Sequence, residues 1–228
     1  MWTSGGGKGV KKGRDAEDTS AMPLTLPDPK AGDQSIQGRR RQIKKFDAEK
    51  QKKLLRVFRR RVANKVRDEH VYGKLGELWE PSIFQEGPWK LHAKGSDWGA
   101  FARAFVAVCD ASDEERDRVV QSQLDRLANA KVPTRGAVFT ELLCRYFPDA
   151  YPLLNTPVKE WAKATSYKAP HGASYGTKYL MLAKTLRAAL TQKPRGYPAR
   201  NMAELDLYIW AWTKQRQARQ KARRRRRA

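Results

Sequence analysis

The sequence predicts an all-α protein. Apolar residues recur at three- and four-residue steps along most of residues 42–217, and helix-capping residues precede several of these runs. No alternating run of β-branched residues competes with this pattern. Of the 228 residues, 40% are hydrophobic and 10% aromatic, so the chain can build a hydrophobic core. This composition argues against collagen-like, coiled-coil and mostly disordered chains.

Residues 1–37 form the first region of the chain. They contain a glycine run, a small basic patch and three prolines, without a sustained apolar period. This pattern predicts a disordered N-terminal arm. Residues 38–215 then form an all-helical domain, and residues 216–228 form a basic tail.

The basic residues are concentrated in two segments. The chain carries 47 Lys and Arg against 24 Asp and Glu, which gives a net charge of +23. Residues 39–67 hold 14 basic and 2 acidic residues, residues 216–228 hold 8 basic and no acidic ones, and together they supply 20 of the 23 charges. Charge of this size calls for a polyanionic partner.

The first predicted helix is basic and amphipathic. Apolar residues recur from Gln42 onward, Asp47 is placed as an N-cap, and Lys and Arg fill the opposite face, Arg59 and Arg60 among them. We expect this face to lie along a phosphate backbone, and Arg223 in the tail to do the same. A solvated charged face packed on the domain and a membrane-surface helix are the alternatives.

An irregular stretch rich in aromatic residues and broken by Gly and Pro follows, over residues 73–97. Such a stretch predicts a loop that packs on the domain or lines a pocket. An aromatic pocket could stack an extruded base, and its candidate residues are Trp89, His92, Trp98 and Tyr151. The alternative is that these are ordinary core side chains.

Helical periodicity returns after this loop. Six further helices are predicted, over residues 98–109, 113–127, 136–146, 156–164, 174–190 and 202–217. Ser112 is the cap of the second of these, with acidic residues in its first turn.

The sequence predicts neither a metal site nor a bound cofactor. Cys109 and Cys144 lack metal-site spacing and are expected to be buried free thiols, and three His residues make no convincing metal site. No apolar stretch has the length of a membrane span or the character of a signal peptide. We therefore expect a soluble cytoplasmic monomer, associated with the nucleoid if the source is prokaryotic.

A short turn joins the helices predicted over residues 113–127 and 136–146. Gly136 permits a positive φ or a close backbone approach, and the amides that open the second helix could hold a phosphate oxygen. The residues predicted to bind nucleic acid here are Lys131, Thr134, Arg135, Gly136 and Ala137. An ordinary helix–helix connection is the alternative.

This stretch resembles the helix-hairpin-helix DNA glycosylase superfamily. The turn Val132-Pro133-Thr134-Arg135-Gly136 is similar to the family's phosphate-binding turn, and the segment 153–158 is similar to its catalytic segment. Residues 205–210 resemble the closing helix of glycosylase-like modules, some of which belong to prokaryotic defence proteins. The resemblance covers residues 113–212 and implies a helix-hairpin-helix glycosylase-like fold that flips a base from double-stranded DNA and excises it.

Two departures from the family pattern affect the implied chemistry. Asn155 stands where the family has its catalytic Asp, and Val138 stands where bifunctional members have a Schiff-base Lys. The resemblance therefore implies a monofunctional enzyme in which Asn155 orients the reacting groups. The alternatives are that the site is inactive or that another acid serves, with Asp206, Asp149 and Glu77 as candidates. The competing hypotheses are a non-catalytic DNA- or RNA-binding module and a nucleoid- or ribosome-associated basic protein.

Overall fold

The computed structural model describes residues 25–31, 37–38, 40–41, 48–78 and 95–226. Among these residues, eight α-helices and two short 3-10 turns have defined bounds, residues 37–38 and 40–41 are also helical, and no strand occurs. The all-α prediction is therefore confirmed for the described part of the chain. The helices are α1 (Ala48–Val62), α2 (Asp68–Leu78), α3 (Trp98–Asp110), α4 (Asp113–Asn129), α5 (Ala137–Tyr146), α6 (Thr156–Ala164), α7 (Tyr175–Thr191) and α8 (Met202–Arg225).

Local capping explains where most of these helices begin. Five of them start after a side chain that accepts a hydrogen bond from the amide three residues later, which satisfies one of the free amides of the first turn. These caps are Asp97, Ser112, Asn155, Ser174 and Asn201. Helix α2 was not predicted, and it corrects the irregular loop expected from residue 73, since residues 73–78 are helical. Two glycines and several polar residues interrupt its apolar period, so the sequence pattern did not indicate a helix.

The larger of two hydrophobic clusters draws on α1 to α5 and on α7. Its centre is aromatic: the ring of Phe101 lies 5.0 Å from Trp98 and 5.3 Å from Phe139, in edge-to-face geometry. Edge-to-face pairs contribute about 0.5 to 1.5 kcal/mol beyond the area that they bury. These contacts fix α3 against α5 and so support the turn that precedes α5.

Helices α4 and α7 cross at very short distance. A Cβ built on Gly176 would lie 2.2 Å from the carbonyl oxygen of Gln121. The Gly176 amide also donates to Asp125 at 2.6 Å. Glycine is therefore required at this crossing because any side chain would collide with the α4 backbone.

The second cluster joins α6, α7 and the first half of α8, and part of the predicted arm packs on it. Leu26 contacts this cluster, Pro27 is buried, and the Pro27 carbonyl accepts a hydrogen bond from the Tyr197 hydroxyl at 3.1 Å. Arg40 makes a two-pronged pair with Glu204, at 2.9 and 3.2 Å. Residues 25–31 are thus packed against the domain rather than free; the remainder of the arm lies mostly outside the described residues.

Helix α8 has two unlike halves. Residues 202–213 are mostly buried, whereas residues 214–226 are all exposed. We call residues 214–226 the projecting segment. The sequence predicts an end near Gln217, but the helix continues to Arg225, so the basic tail is largely helical. At about 1.5 Å per residue, the projecting segment extends roughly 20 Å.

Candidate nucleic-acid interface

A short turn joins two helices at the place where the sequence predicts the hairpin connection. Helix α4 ends at Asn129, a 3-10 turn covers Pro133–Arg135, and α5 starts at Ala137. Gly136 has φ −77°, so it does not adopt the positive φ that was one of the two roles the sequence allowed for it. The positive φ of the connection belongs to Lys131, at 54°.

The hairpin side chains are engaged within the protein. Thr134 is completely buried, and its hydroxyl lies 2.7 Å from that of Ser96. Arg135 donates to the Val132 carbonyl at 2.7 Å, and its guanidinium lies 5.7 Å from the Tyr175 ring centroid. Thr134 therefore cannot reach a phosphate, and Arg135 would first have to leave its internal partners.

Three other predicted hairpin residues are more accessible. Lys131 is exposed, and Gly136 and Ala137 are half-buried. No side-chain cap bonds the first turn of α5, because its N-cap is Gly136. Lys131 is thus the hairpin side chain that is free to meet a phosphate.

Asn155 and Asp206 lie together, although 51 residues separate them in the sequence. The Asn155 amide nitrogen donates to Asp206 Oδ1 at 2.9 Å, and its oxygen accepts from the Val158 amide at 2.9 Å. Asn155 is half-buried and Asp206 is 2% exposed. Asn155 therefore both caps α6 and ties that cap to α8.

A hydroxyl connects this pair to the hairpin. Thr140 Oγ1 donates to the Gly136 carbonyl at 2.8 Å and accepts from the Leu154 amide at 2.9 Å. The hairpin and the segment before Asn155 are thereby held by one buried side chain. This arrangement makes the two predicted elements neighbours, although their own polar groups are largely satisfied internally.

Two of the four predicted base-pocket residues can be placed. Trp98 is fully buried in the larger cluster, and Tyr151 is 1% exposed with its hydroxyl donating to Asp117 at 2.8 Å. Burial and the Asp117 hydrogen bond raise the pKa of the Tyr151 phenol. Both rings are core side chains in this structure, with no face open to a base. Trp89 and His92 lie outside the described residues.

Helix α1 presents its predicted basic face. Leu54, Val57 and Phe58 are buried, and the exposed cations lie on the opposite side of the helix. Some of these cations are neutralised, since Arg59 pairs with Asp110 at 2.6 Å and Lys53 with Glu49 at 3.6 Å. Three have no salt bridge among the described residues, namely Lys52, Arg56 and Arg60.

The projecting segment carries a higher density of unneutralised charge. It contains eight Lys and Arg, Arg223 among them, and no acidic residue. None of these eight pairs with an acid in the described part of the chain. The last acidic residue of α8 is Asp206, which is buried at the other end of the helix.

The sequence analysis did not predict the two Trp–cation contacts at the start of the projecting segment. Lys214 Nζ lies 5.6 Å from the ring centroid of Trp210, and Arg216 Cζ lies 5.2 Å from that of Trp212. Trp210 is 43% exposed, which is unusual among the large apolar side chains that the structure describes. The signal was available as two Trp residues, each four positions before a cation, in a run that keeps the helical period.

Comparisons with known proteins add no family assignment. A scan of protein-family models, a search of curated proteins and a search of solved structures found no match to this chain. Among the described residues, no three His, Cys, Asp or Glu side chains come together as metal ligands. None of the helices in the described ranges combines the length and apolar character needed to cross a membrane.

Proposed function

We propose that this protein binds double-stranded DNA through phosphate contacts from α8 and α1. The proposal rests on the projecting segment, where eight of thirteen residues are cations on an exposed helix without an acidic partner among the described residues. The resemblance of the hairpin to that of DNA glycosylases favours DNA as the polyanion.

The electrostatics explain why such a segment needs a partner. Cations at three- and four-residue spacing on a helix repel one another. The helix dipole and the two contacts with Trp rings oppose that repulsion only in part. Phosphates would neutralise the cations and release the counterions condensed on DNA, which is the main source of sequence-independent affinity.

Helix α1 supplies a second cationic surface. Lys52, Arg56 and Arg60, which pair with no acid among the described residues, point away from the core on a helix that is fixed by packing. A rigid surface loses little conformational entropy on binding, whereas no described part of the chain packs on the projecting segment to hold it. We expect α1 to add phosphate contacts to those that α8 makes.

The test is the salt dependence of binding between the full chain and a mixed-sequence DNA duplex. The logarithm of the binding constant should fall with log salt by about 0.9 for each phosphate neutralised. The triple variant Lys52→Gln, Arg56→Gln, Arg60→Gln should flatten this slope. The matched control, Lys163→Gln, Lys168→Gln, Arg195→Gln, removes equal charge from other exposed positions and should change it less.

Two results would overturn the proposal. One is a salt slope near zero for the unmodified protein. The other is binding to vesicles of anionic lipid with no binding to DNA, which would assign the cations to a membrane surface.

Base excision at Asn155 and Asp206 is the second candidate function. The 2.9 Å contact between these residues favours it, because the sequence analysis names each of the two as a catalytic candidate on separate grounds. In the reaction, a water oxygen would bond to the sugar C1′ as the glycosidic bond breaks, and the base would leave with a proton from that water. Asn155 would orient the water or the sugar, held in place by Asp206.

This candidate is tested by abasic-site formation on duplexes that carry damaged or modified bases. Asn155→Ala should lower the rate of base release by about a hundredfold or more while DNA affinity stays nearly unchanged. No abasic product from any duplex, or equal rates for the variant and the unmodified protein, would remove the activity from this pair and leave DNA binding alone.

A further inference from the structure

The projecting segment of α8 has an ordered pattern of side chains. At about 100° per residue, most of its cations fall into two stripes on roughly opposite sides of the helix. Each stripe begins with a Trp. The first stripe is Trp212, Arg216, Arg219 and Arg223, and the second stripe is Trp210, Lys214, Lys221 and Arg225.

A narrow uncharged strip lies between the two stripes on one side of the helix. We call it the alanine face; it consists of Ala211, Gln215, Ala218 and Ala222. Its centre lies roughly 80° to 100° from each stripe. The last three of its residues are exposed, so nothing in the described protein covers them. Long cationic side chains therefore flank a surface where the helix backbone can approach a partner closely.

The two Trp residues orient the start of each stripe. Lys214 lies over the Trp210 ring and Arg216 over the Trp212 ring, at 5.6 and 5.2 Å. A cation over an aromatic face is held by the ring quadrupole, which restricts the directions that it samples. The first cation on each side is thus directed before a partner arrives.

We propose that the projecting segment inserts into the major groove of B-form DNA with its alanine face toward the base edges. This inference rests on the proposed DNA binding and specifies how α8 takes part in it. The first stripe would contact the phosphates of one strand and the second stripe those of the other. Ala218 and Ala222 would approach the groove floor, where small side chains contact thymine methyl groups.

The dimensions agree with this placement. An α-helix with its side chains is about 10 to 12 Å wide, and the major groove of B-DNA is about 12 Å wide. The major groove of A-form RNA is deep and narrow and does not admit side chains. A single strand presents one backbone, so it would engage one stripe and leave the other without a partner.

The first test compares substrates for the full chain. Binding should be weakened at least about tenfold on a duplex whose cytosines carry glucosylated 5-hydroxymethyl groups, because these fill the major groove. An RNA duplex of the same sequence should also bind more weakly than the unmodified DNA. Equal affinity for unmodified and glucosylated DNA would overturn the groove inference, as would a preference for RNA duplex.

The second test changes the shape of the alanine face without changing its charge. Ala218→Trp with Ala222→Trp should weaken DNA binding at least about tenfold by blocking close approach. The matched control, Gln217→Trp with Gln220→Trp, places the same rings on the far side of the helix and should bind as the unmodified protein does. Circular dichroism of both variants verifies that α8 stays helical.

The outcomes separate the two proposals. If the unmodified protein shows salt-dependent DNA binding but the alanine-face and control variants behave alike, the groove inference fails and the proposed function stands. If the unmodified protein does not bind DNA at all, the proposed function fails, and the groove inference with it.

Discussion

The two halves of α8 use charge in opposite ways. In residues 202–213, Glu204 and Asp206 are buried and meet partners from distant parts of the chain: Arg40 pairs with Glu204, and Asn155 donates to Asp206. In residues 214–226 the cations meet no acidic partner among the described residues. Charge in the first half stabilises the fold, whereas charge in the second half is available to another molecule.

Removing the second half should give the largest effect. Deletion of residues 216–228 removes eight basic residues and should flatten the slope of log K against log salt by about 0.9 for each phosphate that the shortened protein no longer neutralises. The free energy of unfolding should barely change, because none of the described deleted residues is buried. Salt titrations of DNA binding measure the slope, and urea unfolding measures the free energy. An unchanged slope would show that the second half of α8 does not contact the DNA.

Truncating a side chain in the first half should instead affect stability. Ile209 is 1% exposed within the second cluster, so Ile209→Ala should lower the free energy of unfolding by about 2 to 5 kcal/mol. Lys221→Ala in the exposed half is the matched control and should stay within about 0.5 kcal/mol of the unmodified protein. Similar destabilisation of the two variants in urea unfolding would show that the halves do not differ as described.

The link between α6 and the buried half of α8 can be separated from capping. Asn155→Ala removes both hydrogen bonds and should cost at least about 1 kcal/mol of unfolding free energy, the usual loss for an N-cap. Asn155→Ser keeps a capping oxygen but not the donor to Asp206, so it should fall between the alanine variant and the unmodified protein. Equal stability of the serine variant and the unmodified protein would mean that the Asp206 contact adds nothing.

A pH series gives the smallest expected effect. Burial alone would raise the pKa of Glu204, but hydrogen bonds from Arg40 and the Arg200 amide outweigh it and hold the pKa below its ordinary value of 4.5. A depressed pKa means that the carboxylate stabilises the fold above pH 4.5, and that this contribution is lost as the pH falls through the lower folded-state value. The stability advantage over Glu204→Gln should therefore shrink below pH 4.5 in urea unfolding; a constant advantage would exclude this linkage.

The predicted cationic surfaces are exposed in the structure, whereas several predicted site residues are buried. The cations of α1 and α8 lie on exposed faces, as the sequence predicted, because long runs of Lys and Arg cannot be buried without partners. We predicted that Thr134, Trp98 and Tyr151 contact nucleic acid, yet all three are buried, and the Thr134 and Tyr151 hydroxyls hydrogen-bond within the protein. A Thr, Trp or Tyr side chain can contact nucleic acid only where it is exposed. Its exposure depends on which helices pack over it.

The sequence by itself determined the properties that depend on near neighbours. These are the all-α class, most helix starts, the bounds of α6, and the concentration of charge in two segments. Capping and periodicity act within a turn or two of a helix, so they can be deduced from adjacent residues. Only the tertiary structure brought Asn155 to Asp206, packed residues 25–31 on the second cluster and left one half of α8 uncovered by the rest of the described chain. These outcomes depend on which distant apolar faces meet, since burial is decided by the packing of whole helices rather than by local sequence.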